Sequence, residues 1–120
     1  MISEHQTTGS ATARRELTER EIQLAILREF GTRSDLRVWR ANTGVARIGR
    51  RVVRFGVPGQ ADITGILPGG RRIEIEVKSP TGRQTPDQVN FQRMIERFGG
   101  LYVLARSVED VRKAIANDCR

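Results

Sequence analysis

The sequence predicts an α/β domain, one mixed β-sheet flanked by helices in the order α-β-β-β-β-α-β-α. Three features carry this. Segments near residues 19–30, 87–98 and 107–117 place apolar residues at helical spacing behind Ser or Thr caps. Arg72-Ile73-Glu74-Ile75-Glu76-Val77-Lys78 alternates at period two, as a strand with two unlike faces does. Pro68-Gly69-Gly70 then joins the runs 61–67 and 71–78 as a hairpin.

Taken in order, residues 1–16 are rich in Ser, Thr, Gly and Ala and read as a flexible leader, which leaves 17–120 as a single domain. The first helix spans about Glu19 to Phe30. Thr18 caps it, Glu21 completes a T-x-x-E box, and Ile22, Ala25, Ile26 and Phe30 form its stripe before Gly31. Leu36 to Arg40, containing Val38 and Trp39, is a strand that the turn Asn42-Thr43-Gly44 closes. Arg51 to Phe55 is a second strand, ended by Gly56 and Pro58-Gly59. After the hairpin, Ser79 to Thr85 is a basic, turn-rich loop. Thr85 and Pro86 open a helix through Phe98 whose apolar side is Val89, Phe91, Met94, Ile95 and Phe98. Leu101 to Ala105 is continuously apolar and reads as a central strand. Ser107 starts a last helix to about Asn117, with Val108, Val111 and Ile115 inward. Trp39, Phe55 and Tyr102 are assigned to the core in preference to base stacking.

A chain of 120 residues has room for one modest core. Its formal charge of +7 comes from 21 Lys and Arg against 14 Asp and Glu, mainly through arginine. Arginine's planar fork suits phosphate, so a polyanionic partner held by a salt-sensitive attraction is indicated. The single cysteine, Cys119, excludes an intrachain disulfide and a multi-cysteine zinc site. The single histidine, His5, lies in the polar leader, against a histidine-based site. No run approaches the roughly 18 apolar residues of a membrane span. Met1 to Arg15 lack the apolar core of a secretion signal, so a cytoplasmic location, without membrane attachment, is expected.

The hairpin's register can be derived. A two-residue turn at Gly69-Gly70 pairs Asp62 with Val77 and Ile63 with Glu76, mixing polar and apolar positions on each face. A three-residue loop instead sets Asp62 opposite Glu76, Thr64 opposite Glu74 and Ile63 opposite Ile75, with Ile63, Ile73, Ile75 and Val77 on the other side. The three-residue loop is therefore preferred. Directly opposed Cβ atoms lie about 4.5–5.5 Å apart, close enough for two carboxylates to need a cation, a proton or a base between them. Mg²⁺ suits such a pair, with the Val77 carbonyl as a third oxygen. Lys78, on the same face as Glu76, can orient water or stabilise charge on a phosphate. The competing reading is that Glu74, Glu76 and Lys78 merely line a solvated strand face. Glu21 likewise has two readings, helix cap or neighbour of the metal.

These residues resemble the PD-(D/E)xK nuclease superfamily and, more closely, its virus-type replication-repair (VRR-NUC) domain. The matching stretches are Glu21, Arg40-Ala41-Asn42-Thr43-Gly44, residues 55–62 ending in Gln60-Ala61-Asp62, Ile75-Glu76-Val77-Lys78, residues 82–88 ending in Pro86-Asp87-Gln88, and Gly99-Gly100-Leu101-Tyr102. They cover roughly residues 17–108. Ala61 stands where the superfamily name has proline. The resemblance implies a restriction-endonuclease-like sheet, with Asp62, Glu76 and the helix carboxylate Glu21 at the metal, Lys78 as catalytic lysine and Gln88 reaching the site. It further implies a homodimeric DNA endonuclease similar to small phage or bacterial Holliday-junction resolvases, working in bacterial or phage-infected cytosol. Such an enzyme uses Mg²⁺, with Mn²⁺ as substitute, cuts branched DNA such as four-way junctions and leaves a 5′-phosphate.

Further candidates for nucleic-acid contact are Arg40, Arg47, Arg50, Arg51 and Arg54 before Asp62. The alternating Arg50/Val52/Arg54 set fits a DNA-facing side and a plain solvated strand face equally well. Asn42 sits in what is either a simple turn or an amide contact to phosphate. Arg83 and Gln84 flank a loop placed to hold a strand. The rival to the nuclease reading is a non-catalytic nucleic-acid-binding module of the same fold.

Overall fold

The computed structural model describes residues 16–118; most of the leader, with His5, and Cys119 lie outside them. The elements are α1 (Glu19–Phe30), β1 (Arg37–Arg40), β2 (Gly44–Ile48), β3 (Arg51–Phe55), β4 (Ile63–Ile66), β5 (Arg72–Val77), α2 (Pro86–Arg97), β6 (Leu101–Ala105) and α3 (Val108–Ala116). All three helices are capped as their sequences predict: Thr18, Thr85 and Ser107 each accept a main-chain N–H from the first turn.

Four strands form a mixed sheet in the order β1-β4-β5-β6, antiparallel except for the parallel pair β5/β6. The parallel step needs a crossover, and α2 supplies it. The strands β2 and β3 form a separate hairpin. The strand β2 is absent from the expected order, in which the chain after Arg40 simply turned. The turn lies further on, at Gly49-Arg50, where Gly49 takes φ 64° and lets Ile48 pair with Arg51.

Between β4 and β5 the three-residue loop is confirmed. Ile63 pairs with Ile75, Thr64 with Glu74 and Gly65 with Ile73. Gly69 (φ 83°) and Gly70 (φ 89°) both need the left-handed region that the loop demands.

The alternation then assigns two cores. Ile63, Ile73, Ile75 and Val77 pack with Val103 and Ala105 against Ile22, Ile26 and Phe30 of α1 and Val111 of α3. On the opposite face, Phe91 and Ile95 of α2 cover Tyr102 and Ala61, with the Phe91 and Tyr102 rings edge to face at 6.5 Å. Leu101–Ala105 is thus a terminal strand of the sheet and not a central one; its apolar run arises because helices cover it from both sides. Tyr102 is core as expected, but Trp39 and Phe55 are exposed, because no helix covers β1 or the β2–β3 hairpin on their side. Phe98 falls just beyond α2 and lies in solvent beside Arg97. Among the described residues no helix is long and apolar enough to cross a membrane.

Candidate functional site

The even-numbered face of β5 is not solvated. Glu74 is 0% and Glu76 4% exposed, so the reading of a wet strand face is overturned. Over Glu76 the cause is α2, which packs on β6 and reaches across to Glu76 through Gln88, whereas Glu74 is enclosed with Thr64 and Arg72. Buried carboxylates need partners, and the two glutamates find different ones. Glu74 accepts from Thr64 Oγ1 at 2.5 Å and from Arg72 Nε at 2.6 Å. Glu76 accepts from Gln88 Nε2 at 3.0 Å, and Lys78 Nζ lies 3.8 Å from the same Oε2. The other oxygen of each glutamate, Oε1, is buried with no hydrogen-bond donor, and only that of Glu76 belongs to a side chain in contact with a second carboxylate, Asp62.

Asp62 ends the regular β4/β5 ladder. Its carboxylate accepts the Val77 N–H at 2.9 Å, where a strand partner's carbonyl would otherwise do so. Its own carbonyl accepts the Ala41 N–H at 2.9 Å, which holds the chain beyond β1 against the site. The Lys78 N–H bonds to Ala105 on β6. By alternation, the Val77 N–H and carbonyl both point the other way, to the Asp62 side.

Asp62 and Glu76 are in contact and share one electrostatic problem. Burial, above all, raises the Asp62 pKa despite the Val77 N–H and Lys78. Burial and then repulsion from Asp62 push Glu76 up to about 7, against the pull of Lys78. Glu19 raises both further. Tyr102 beside them is pushed up to about 12, by burial first and then by these carboxylates, although its hydrogen bond from Gln84 works the other way. A divalent cation between the two carboxylates would offset their burial and their mutual repulsion.

The Asp62/Glu76 pair, the orphaned Glu76 Oε1 and the Val77 carbonyl therefore fit a hard cation that retains some of its own water. Among the described residues, no set of three or more His, Cys, Asp or Glu side chains is placed to ligate one.

The first turn of α2 fixes this pair from above. Gln88 Oε1 accepts the Thr85 N–H at 2.9 Å in a capping box, which turns its NH₂ toward Glu76. The same turn is pinned by Gly59, whose φ is 77° and whose missing Cβ would lie 2.1 Å from the Asp87 carbonyl oxygen. Pro58-Gly59 forms a turn closed by Gln60 N–H to the Val57 carbonyl at 2.9 Å.

Glu21 is the one predicted ligand that the structure engages elsewhere. It closes the Thr18 capping box, accepting the Thr18 N–H at 2.9 Å. The α1 carboxylate acting on the pair is Glu19, which accepts the Ser79 N–H at 2.9 Å. A T-x-x-E box consumes its own Glu, so Glu19 was the first-turn acid left free; that signal was present and unread. Arg106 was also missed. It donates to the Ser79 and Gly82 carbonyls, the latter at 2.9 Å, and so holds the loop after Lys78.

The nucleic-acid candidates do not share one surface. Arg40 faces α1 and donates to Gln23 Oε1 at 2.6 Å. Arg47 and Arg54 lie on one side of the β2–β3 hairpin with Val45 and Val52, while Arg51 lies on the other. Arg50 is in the turn, so the Arg50/Val52/Arg54 face does not exist. Asn42 and Arg83 are exposed near the site's end of the sheet. Gln84 turns inward, donating to Gln92 Oε1 at 2.9 Å and to Tyr102 OH at 3.3 Å. No protein-family model matches this chain, and neither does any curated protein or solved structure.

Proposed function

We propose that this chain is a metal-dependent DNA endonuclease that hydrolyses phosphodiester bonds, of the PD-(D/E)xK kind and similar to VRR-NUC domains. One observation carries the reading. The central strand β5 buries Glu76 in contact with the Asp62 carboxylate, its Oε1 without a donor and its Oε2 3.8 Å from Lys78 Nζ. Stability alone disfavours such an arrangement, and a bound Mg²⁺ or Mn²⁺ makes sense of it. Asp62, Glu76 and the Val77 carbonyl would hold that ion. When bound, it polarises a phosphoryl oxygen and acidifies water.

Each remaining residue has a task of its own. Lys78 orients water and stabilises charge developing on the phosphate. Gln88 keeps Glu76 in one rotamer through a bond set by its helix cap. Glu19 ties α1 to the loop after Lys78 and adds negative charge that favours a cation. The arginines Arg47, Arg50, Arg51 and Arg54 supply the salt-sensitive attraction to DNA. A homodimer is part of the proposal, with Ile48 and Phe55, exposed on the side of the hairpin away from Arg47 and Arg54, as its candidate contact.

The test uses end-labelled four-way junction, 5′ flap and linear duplex, each with Mg²⁺ or Mn²⁺. Wild type is expected to cut a branched substrate, and Lys78→Ala to cut it at least about 100-fold more slowly. Binding without cleavage under either metal would leave a non-catalytic binding module as the function. Equal cleavage by both proteins would refute the role of Lys78.

A further inference from the structure

We infer that the open sheet face centred on Trp39 is a stacking platform for an unpaired nucleobase, so that the substrate carries single-stranded DNA beside the bond to be cut. This rests on the nuclease reading and narrows its substrate.

The residues Trp39, Thr64 and Glu74 are neighbours across β1, β4 and β5 and point to the same face as Glu76. On β6 that face is covered by α2, which also reaches Glu76 at the end of β5; on β1 and β4 it is not. Trp39 is consequently 52% exposed and Ile66 45%. With Thr64, Gly65, Gly70 and Arg72 they line an open hollow of about 310 Å³. Arg72 is held across its floor by Glu74 and Thr64, so its guanidinium is fixed while half of it remains in solvent. Arg37, two residues before Trp39, is fixed by its bond to the Arg33 carbonyl at 2.7 Å. A large aromatic surface with the anchored Arg72 guanidinium in the same hollow, and Arg37 on the neighbouring strand edge, matches a base joined to its phosphates.

Position supports the same occupant. Ala41, which bonds to Asp62, is two residues beyond Trp39 on the same strand path. At about 3.3 Å per residue and about 4.8 Å between strands, the Trp39 backbone lies about 8 Å from that of Asp62 and about 12 Å from that of Glu76. The shorter of these is two to three steps of about 3.4 Å along a nucleic-acid strand. Bases inside a duplex are already stacked on both faces and offer no free surface to a side chain; an unpaired base does. The platform therefore selects flaps, forks and frayed ends over fully paired arms.

Trp39 is the only tryptophan of the chain, so its fluorescence reports on this face alone. Wild-type protein in EDTA is titrated with a short oligothymidylate and with a blunt duplex of equal length. The single strand should quench the emission strongly and the duplex should not. Trp39→Ala should bind the single strand about tenfold more weakly, by anisotropy, with duplex affinity unchanged, and Trp39→Phe should keep most of the affinity. Unchanged emission at saturating oligothymidylate, or wild-type affinity in Trp39→Ala, overturns the platform. So does an emission shift that follows protein concentration without DNA, which would make a second copy of the chain the occupant. Quenching in a protein that cuts nothing would sink the nuclease reading and leave the platform standing; cleavage without quenching would do the reverse.

Discussion

Replacing Glu76 by Gln should make the metal-free protein more stable while abolishing its activity. In the native chain, burial and the Asp62 carboxylate raise the Glu76 pKa from 4.5 to about 7. That displacement corresponds to about 3 kcal/mol, and the open rim at Lys78 screens part of it, leaving about 2 kcal/mol. The sign follows from proton counting. Between pH 4.5 and about 7 the native state keeps a proton that the unfolded glutamate has lost. Metal-free stability therefore falls as pH rises through that window and is level above it. Glutamine is neutral throughout, and its carbonyl can accept the Gln88 amide now 3.0 Å from Glu76. The two proteins should be about equally stable near pH 4.5. At pH 8 in EDTA the variant should gain about 2 kcal/mol, or about 10 °C in Tm for a domain of this size. Urea and thermal melts at the two pH values measure this, and added Mg²⁺ should raise the Tm of wild type only. A wild type equally stable at pH 5 and pH 8 in EDTA, or a variant less stable at pH 8, would refute a strained carboxylate pair at this site.

Three further outcomes are expected. Glu21→Ala should lose about 1 kcal/mol of stability with the cap and keep its cleavage rate, whereas Glu19→Ala should melt near wild type and cleave about tenfold more slowly. Gly59→Ala forces a positive φ on alanine and a clash with the Asp87 carbonyl. It should lose about 3 kcal/mol in urea melts and, by shifting Gln88, slow cleavage beyond what unfolding explains. Arg47→Ala and Arg54→Ala should each reduce the slope of log Kd against log salt for duplex DNA by about one, measured by anisotropy.

What was legible in the sequence was local. The hairpin register followed from loop length and from the period of two in residues 72–78, because a slip of one residue exchanges the faces of the whole strand. The helix caps followed from side chains that bond within three residues of themselves. Asp62 beside Glu76 was therefore readable without coordinates. The strand β2 was readable too, through Val45 and Ile48 and the Gly49-Arg50 turn, but the earlier Asn42-Thr43-Gly44 turn signal outweighed it.

The sequence by itself determined which residues share a face, since alternation and turn geometry are properties of the backbone over a few residues. Only the tertiary structure decided what each face meets. The placement of α2 on β6, with Gln88 reaching β5, helped to bury Glu76 and turned a pattern that also fits a wet strand into a strained carboxylate site. The same placement left Trp39 uncovered. Helix docking joins segments far apart in the chain, and the rows of residues it covers depend on crossing position, which no local period encodes.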